Sequence, residues 1–260
     1  MIITLTTDFG YQDSFVGIMK GVIAGINPQA RIIDITHGIP PQDILAGALT
    51  LRHSVKYFSL GTIHVAVVDP GVGSARRPLL IECEGNYFIG PDNGVLSLAV
   101  ENTKSAHIVH LSNPTYHLQP ISTTFHGRDI FAPAAAHLSL GVPATAFGEP
   151  LDQIVRLAIP KIVRKERSIE GEIVYIDNFG NLFTNVCAHD LTGLPVDTLD
   201  FVVGSVRIRG LSQNYAAPRG GGFVAVLNSW DLLEIAAYKE NAQKRTGAKI
   251  GDKVEIVLSK

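Results

Sequence analysis

Three polar clusters in the first half of the chain combine residue types that can do chemistry. The first is Thr7-Asp8-Phe9-Gly10, with Asp13 close behind, at the end of an apolar run. A carboxylate at a strand end can accept two hydrogen bonds from a ribose diol. Asp8 as a turn former and Asp13 as a helix cap account equally for the same residues. The second cluster runs from Asp69-Pro70-Gly71-Val72-Gly73 to Arg76-Arg77. Its glycines allow a close approach of backbone to ligand, but no Lys-Ser/Thr follows, so it is not a P-loop. The third is Thr123-Thr124-Phe125-His126-Gly127-Arg128-Asp129, where a histidine leads into a helix. A lone histidine is more often a hydrogen-bonding structural residue than a catalyst; Asp69 and Arg76 on another loop strengthen the catalytic alternative.

The second half offers Asp177-Asn178-Phe179-Gly180-Asn181-Leu182-Phe183, too polar for a simple hairpin loop. Asp177, Asn181 and Phe183 suit an ammonium, an amide-like edge and a planar ring; structurally, the same segment makes an Asx turn. Ser229, between two strands, either caps a turn or binds a carboxylate. Metal chemistry finds little support. His107 and His110 are three apart in a strand and point to opposite faces, and no HExxH or EF-hand spacing occurs.

The elements needed to hold these clusters read as alternating strand and helix. Strands are expected at Ile2 to Thr6, Arg31 to Thr36 and Thr62 to Val68. A helix through Phe15, Met19, Val22 and Ile26 is expected with Asp13 as its cap, and a second with Asp43 as its cap. A hairpin is expected around Glu84-Gly85-Asn86, a helix over Val95 to Glu101, and another over Asp129 to Leu140. After Pro150 the texture changes. Lys161 to Arg167 reads as a linker, followed by short strands at Glu172 to Ile176, Leu182 to Val186, Phe201 to Ile208, Phe223 to Leu227, Leu232 to Ala236 and Lys253 to Leu258. The expected fold is α/β: an N-terminal, mostly parallel α/β sandwich domain over residues 1–160 and a smaller C-terminal antiparallel, β-barrel-like domain over 168–260.

Composition narrows the function classes. The 260 residues carry 22 Lys+Arg against 24 Asp+Glu, so no electrostatic footprint for nucleic acid or a membrane surface exists. Two distant cysteines, Cys83 and Cys187, give neither a disulfide framework nor a thiolate metal site, which favours a reducing cytoplasm. The start of the chain lacks the basic n-region of a signal peptide. Charged residues make up only 18%, below the roughly 25% usual for soluble domains, and mean hydropathy is +0.20. Surface covered by an oligomer interface is one source of such a balance.

The ordered set Thr-Asp-Phe-Gly at 7–10, Asp-Pro-Gly-Val-Gly at 69–73, Gly-Pro-Asp-Asn-Gly at 90–94, Thr-Phe-His-Gly-Arg-Asp at 124–129, Asp-Asn-Phe-Gly-Asn at 177–181 and Asn-Ser at 228–229 resembles the S-adenosyl-L-methionine hydroxide adenosyltransferases. These S-adenosylmethionine hydrolases are relatives of the fluorinase and chlorinase. The resemblance spans nearly the whole chain. It implies hydrolysis of S-adenosyl-L-methionine to adenosine and L-methionine without cofactor or metal, in a homotrimer that binds its nucleoside substrate between neighbouring subunits. It further implies that Asp69, Arg76 and His126 handle the attacking water and that Asp8 binds the ribose, with Asp13 nearby. Phe125, Asn181 and Phe183 would line the nucleoside pocket, Asp177 and Ser229 would hold the methionine end, and Glu234 and the backbone near Ala237 would face substrate polar groups. Two alternatives stay open: a halogenase forming 5′-chloro-5′-deoxyadenosine, and a binding protein without turnover. The halogenases carry Tyr where this chain has Asp69, and Arg where it has Trp230.

Overall fold

In the computed structural model, residues 1–101, 103, 105–216, 218 and 222–258 are described, and the chain divides into two compact units, Met1–Leu157 and Ala158–Lys260. Unit 1 opens with β1 (Ile2–Thr7), α1 (Phe15–Ile26), β2 (Arg31–Thr36), α2 (Ile44–Val55) and β3 (Ile63–Val67). β4 (Pro78–Cys83), β5 (Asn86–Pro91), β6 (Ala106–His110), α3 (Ala132–Ser139) and β7 (Pro150–Leu151) complete it. The sheet order is β2-β1-β3-β5-β4-β6-β7. It is parallel from β2 to β5 and antiparallel from β5 to β7. Every residue of β3 is buried, as the continuous apolar run requires of a strand covered on both faces. Ile3, Leu5, Val65 and Ile89 form a core with Met19 and Ile23 of α1 and Phe131 and Ala135 near and on α3.

Unit 2 contains β8 (Val163–Arg164), β9 (Ser168–Ile176), β10 (Leu182–Cys187), β11 (Leu199–Val203) and β12 (Val206–Arg209). β13 (Phe223–Leu227), β14 (Leu232–Ala237), α4 (Ala242–Thr246) and β15 (Lys253–Leu258) follow. The order β12-β11-β15-β9-β10-β14-β13 is antiparallel throughout. Its two ends approach each other, Ser212 N–H donating to the Ala225 carbonyl at 2.7 Å just beyond β12. The inward residues Ile173, Leu182, Phe201, Ala225, Ile235 and Ile256 fill a separate core. The α/β and barrel-like expectation is therefore borne out.

Five local expectations are not met. Asp13 does not cap α1; the cap position is Ser14, without a side-chain hydrogen bond, because the helix begins one residue later than expected. Asp43 does cap α2, accepting from Ala46 N. Residues 95–101 form successive turns instead of a helix. Ser97 bonds the Gly94 carbonyl through both N–H and Oγ, so side chain and backbone together hold a tighter turn. The helix expected from Asp129 begins earlier, as a π-helical segment Gly127–Phe131, and only then continues as α3. The charged stretch 161–167 contains the edge strand β8, paired with β9; charge on an edge strand blunts further pairing. The single strand expected over 201–208 is a hairpin, broken where Gly204 takes φ 55°.

Candidate active site

In unit 1, the loop after β3 supplies Asp69 and Arg76. Arg76 Nε donates to Asp69 Oδ1 at 2.9 Å, and Nη2 donates to Oδ2 in a short contact, which makes the pair bidentate. Nη2 also lies 2.7 Å from His126 Nδ1. The Arg76 and Asp69 side chains are only 8% and 5% exposed, and the guanidinium carbon sits 5.4 Å over the Phe131 ring. Arg76 Nη1 is buried and has no hydrogen-bond partner among the described residues. A buried, unpartnered donor of a charged group is costly, so its retention points to a ligand atom at that position.

His126 reaches this cluster from a second loop, ending at the π-helical segment. The loops are held together by backbone contact: at Gly73, with φ 76°, an added Cβ would lie 2.2 Å from the Thr123 carbonyl oxygen. A guanidinium can only donate, so the Nδ1 facing Arg76 must accept, and His126 is neutral with its proton on Nε2. Burial is the main influence lowering the His126 pKa; the Arg76 charge adds to it, and Asp69 and Asp129 oppose it. A π turn is a common device for turning a side chain toward a functional site.

The other unit-1 candidates flank the β1 end. Asp8 is half-buried, and its Oδ2 accepts from Gln42 N at 2.8 Å, which leaves Oδ1 available. Phe125 is half-buried in an aromatic group, its ring 5.2 Å from Phe15 and 6.1 Å from Phe9. Asp13 is exposed and lines a shallow cleft with Tyr11 and Lys20.

Unit 2 gathers its own candidates around a cavity of about 610 Å³ lined by Asp177, Phe179, Asn181, Tyr215, Ala237 and Lys239, among others. Asp177 Oδ1 accepts from Phe179 N at 2.9 Å and Asn181 N at 2.8 Å, an Asx turn that fixes the loop. Gly180 is required there: at φ 82° an added Cβ would fall 2.1 Å from Asn241 Nδ2. Phe183 is buried between Tyr175 and Trp230 and does not line the cavity. The aromatics that do are Tyr215 and Phe179, the latter 74% exposed and a residue that sequence reasoning passed over. Its signal was present, since a large ring inside an Asp-Asn-x-Gly-Asn turn has no core to fill. Tyr215 and Lys239 were passed over as well. Ala237 lines the cavity, Ser229 is exposed on the turn after β13, and Glu234 is completely buried, accepting from Asn228 Nδ2 at 3.0 Å. Burial is the main influence raising the Glu234 pKa. Among the described residues, no group of three or more His, Cys, Asp or Glu is placed to hold a metal ion.

Unit 1 thus presents a buried Asp-Arg-His cluster at the end of a parallel strand, and unit 2 an aromatic and acid-lined cavity on a barrel-like sheet. Polar side chains converging in a partly enclosed setting are what small-molecule sites are built from, and each unit holds such a setting of its own. Residues 3–148 match the SAM hydroxide adenosyltransferase N-terminal domain and residues 171–255 its C-terminal domain. The chain belongs to this family. It is 40% identical to the (R)-S-adenosyl-L-methionine hydrolase of Salinispora tropica, over 98% of this chain and 97% of that one. It is 30% identical to the fluorinase of an Actinoplanes species, over 73% of each chain. A solved structure of an uncharacterized conserved protein from Thermotoga maritima covers 99% of this chain and 100% of its own, at 34% identity and a TM-score of 0.91.

Proposed function

We propose that the protein hydrolyses S-adenosyl-L-methionine to adenosine and L-methionine by attack of an oriented water on the ribose C5′. The observation that carries this is the buried, unpartnered Arg76 Nη1, held in place by Asp69 and His126. A water accepting from Nη1 would be fixed beside two further polar groups, and positive charge there stabilises hydroxide character as the new C–O bond forms. The sulfonium leaves as a neutral thioether, so the leaving group needs no general acid. As the C–O bond forms and the C–S bond breaks, the Asp69 carboxylate accepts one proton of the water, so the oxygen attacks with hydroxide character and the product is the neutral 5′-hydroxyl. No cofactor or metal enters any step.

Recognition falls to the remaining candidates. Asp8 Oδ1 is available for the ribose, Phe125 and Phe179 offer ring faces, and Asp177, Asn181 and the Ala237 backbone surround the unit-2 cavity. Ser229, exposed on its turn, is proposed for the methionine carboxylate and the exposed Asp13 as a further substrate contact, while Phe183 and Glu234, both buried, act from within unit 2. The active form is proposed to be a homotrimer with ligand between neighbouring subunits. Supporting this, α1 and the turn before it expose Tyr11, Phe15 and Ile18 at 67%, 43% and 38%. Cys83 and Cys187 are both free thiols, which suits a cytoplasmic location. No described helix is long and apolar enough to cross a membrane.

Halide transfer is disfavoured by the Asp69 carboxylate, which would stand beside an incoming anion. Incubating the pure protein with substrate and chromatographing the products tests the proposal. Adenosine and methionine in equal amounts, unchanged by EDTA or by added chloride, are expected. No adenosine above a protein-free blank would leave a binding protein, and 5′-chloro-5′-deoxyadenosine a halogenase.

A further inference from the structure

Asp129 has no part in the chemistry above, yet its carboxylate is completely buried and fully engaged. Oδ1 accepts from Arg128 Nε at 2.6 Å, while Oδ2 accepts from Arg128 Nη2 at 3.0 Å and from the Ser122 backbone N–H at 2.8 Å. Its own N–H donates to the Phe125 carbonyl at 3.1 Å, and its carbonyl accepts from Leu118 N at 2.8 Å. Asp129 therefore ties both ends of the segment from Leu118 to Phe125 to the π-helical turn that follows His126. The Ser122 backbone also acts on the His126 ring, favouring its protonated form as a carbonyl acceptor does, while the Asp129 carboxylate anchors the N–H of that same residue. Arg128, drawn across by Asp129, lies with its guanidinium carbon 5.4 Å over the Phe125 ring.

We infer that Asp129 is a positioning residue for the reaction proposed above: through Ser122 and Arg128 it sets where His126 meets Arg76 and how Phe125 faces the nucleoside. A buried carboxylate is costly to desolvate, and a buried ion pair is often no more stabilising than apolar residues of similar volume, so core stability alone does not account for it. What the ion pair and the Ser122 bond supply is a single loop geometry, the role in which buried polar groups are best justified. Asp129 also acts on His126 through space. The charged and titratable groups facing that ring are Arg76 and Asp69 on the loop after β3, Asp129 on the π-helical segment, and His117 on the segment before it. The negative charge of Asp129 favours the protonated imidazole, opposing Arg76.

The test compares wild type with Asp129→Asn and Asp129→Ala in the full-length protein, by turnover of S-adenosyl-L-methionine and by an NMR titration of imidazole-labelled His126. Asp129→Asn keeps the shape and one acceptor for Ser122, so it is the variant that folds even where Asp129→Ala does not. With a loop displacement of the order of an ångström, kcat is expected to fall by about 100-fold in Asp129→Ala and by about 10-fold in Asp129→Asn, KM changing less than kcat. The His126 midpoint is expected to move to lower pH in Asp129→Asn, a change that mere loss of packing does not produce. An unmoved His126 titration together with wild-type kcat in Asp129→Asn would overturn the inference. The inference rests on the hydrolase function, yet the two fail differently. Wild type that forms no adenosine refutes the hydrolase, whereas the shift of the His126 midpoint between wild type and Asp129→Asn is readable without turnover.

Discussion

Arg76 Nη2 stands 2.7 Å from Nδ1 of His126, two residues fifty positions apart in the chain. Because guanidinium has no acceptor, the contact requires a neutral imidazole, and it leaves Nη1 as the buried donor with no partner among the described residues. This makes Arg76 the centre of the cluster, with Asp69 and His126 aiming it. Arg76→Lys keeps the charge but loses the fork that satisfies both neighbours, so kcat is expected to fall by about 100-fold or more. His126→Ala and Asp69→Asn are expected to lower kcat more than nucleoside affinity. Steady-state kinetics with an adenosine-binding titration checks both; a loss confined to affinity would contradict the assignment.

The same contact sets a pH dependence. Burial and the neighbouring Arg76 charge lower the His126 pKa below its ordinary value of 6.5, so the ring stays neutral to more acidic pH than free histidine. Protonation turns Nδ1 into a donor facing another donor and breaks the contact. Activity is therefore expected to hold through pH 6.5 and decline only below it, and His126→Gln should remove that limb from the kcat profile. An acid limb centred above 6.5 would contradict the neutral, desolvated histidine.

A second histidine reports on stability alone. His64, on β3, is completely buried, its Nδ1 is 2.9 Å from Thr4 Oγ1, and burial lowers its pKa to about 4. The unfolded chain binds this proton near pH 6.5 and the folded chain only near 4, so the contribution is full above 6.5 and is lost as pH falls between them. Up to about 3 kcal/mol is at stake from this one group. Calorimetry from pH 7 to 4.5 should show Tm falling, with a shallower fall in His64→Leu even though that variant starts less stable.

Gly73 offers a test of how the two loops depend on each other. With φ 76° and a would-be Cβ 2.2 Å from the Thr123 carbonyl, alanine there must push the His126 loop away from the Arg76 loop. Gly73→Ala is expected to cost about 1–3 kcal/mol and to reduce kcat. Thermal melts read the first and turnover the second; unchanged turnover would show that the loops adjust independently.

In unit 2, Phe179 is the exposed ring at the cavity and Phe183 the buried one. Phe179→Ala is expected to raise KM by about 10-fold with kcat nearly unchanged, since a stacking contact is made alike in ground and transition states. Phe183→Ala should instead lower Tm, as its neighbours are Tyr175 and Trp230. The reverse pattern would exchange their roles.

Strands were legible in the sequence wherever burial on both faces left an uninterrupted apolar run, as in β3, and helices where apolar spacing ran for three turns, as in α1 and in α2 with its Asp43 cap; the single-turn α4, though capped by Asn241, was too short to show such spacing. The spacing of Val95, Leu96, Leu98 and Val100 misled because their apolar pattern is shared by a series of buried turns stabilised by Ser97. Asp69, Arg76 and His126 could be picked out as residue types in loops. Their meeting could not, because it depends on Gly73 fitting under Thr123 and on a π turn that local propensity does not announce. Phe179 and Phe183 were indistinguishable by type; only the Asx turn, which leaves one ring outside and pairs the other into β10, separates them.

A water that attacks the ribose C5′ must leave its own oxygen in the nucleoside product. Turnover of S-adenosyl-L-methionine in ¹⁸O-labelled water, with mass spectrometry of both products, tests it most directly. The expected result is one ¹⁸O in the adenosine 5′-hydroxyl and none in methionine, lost in Arg76→Lys. Label-free adenosine, or label in the methionine product, would contradict it.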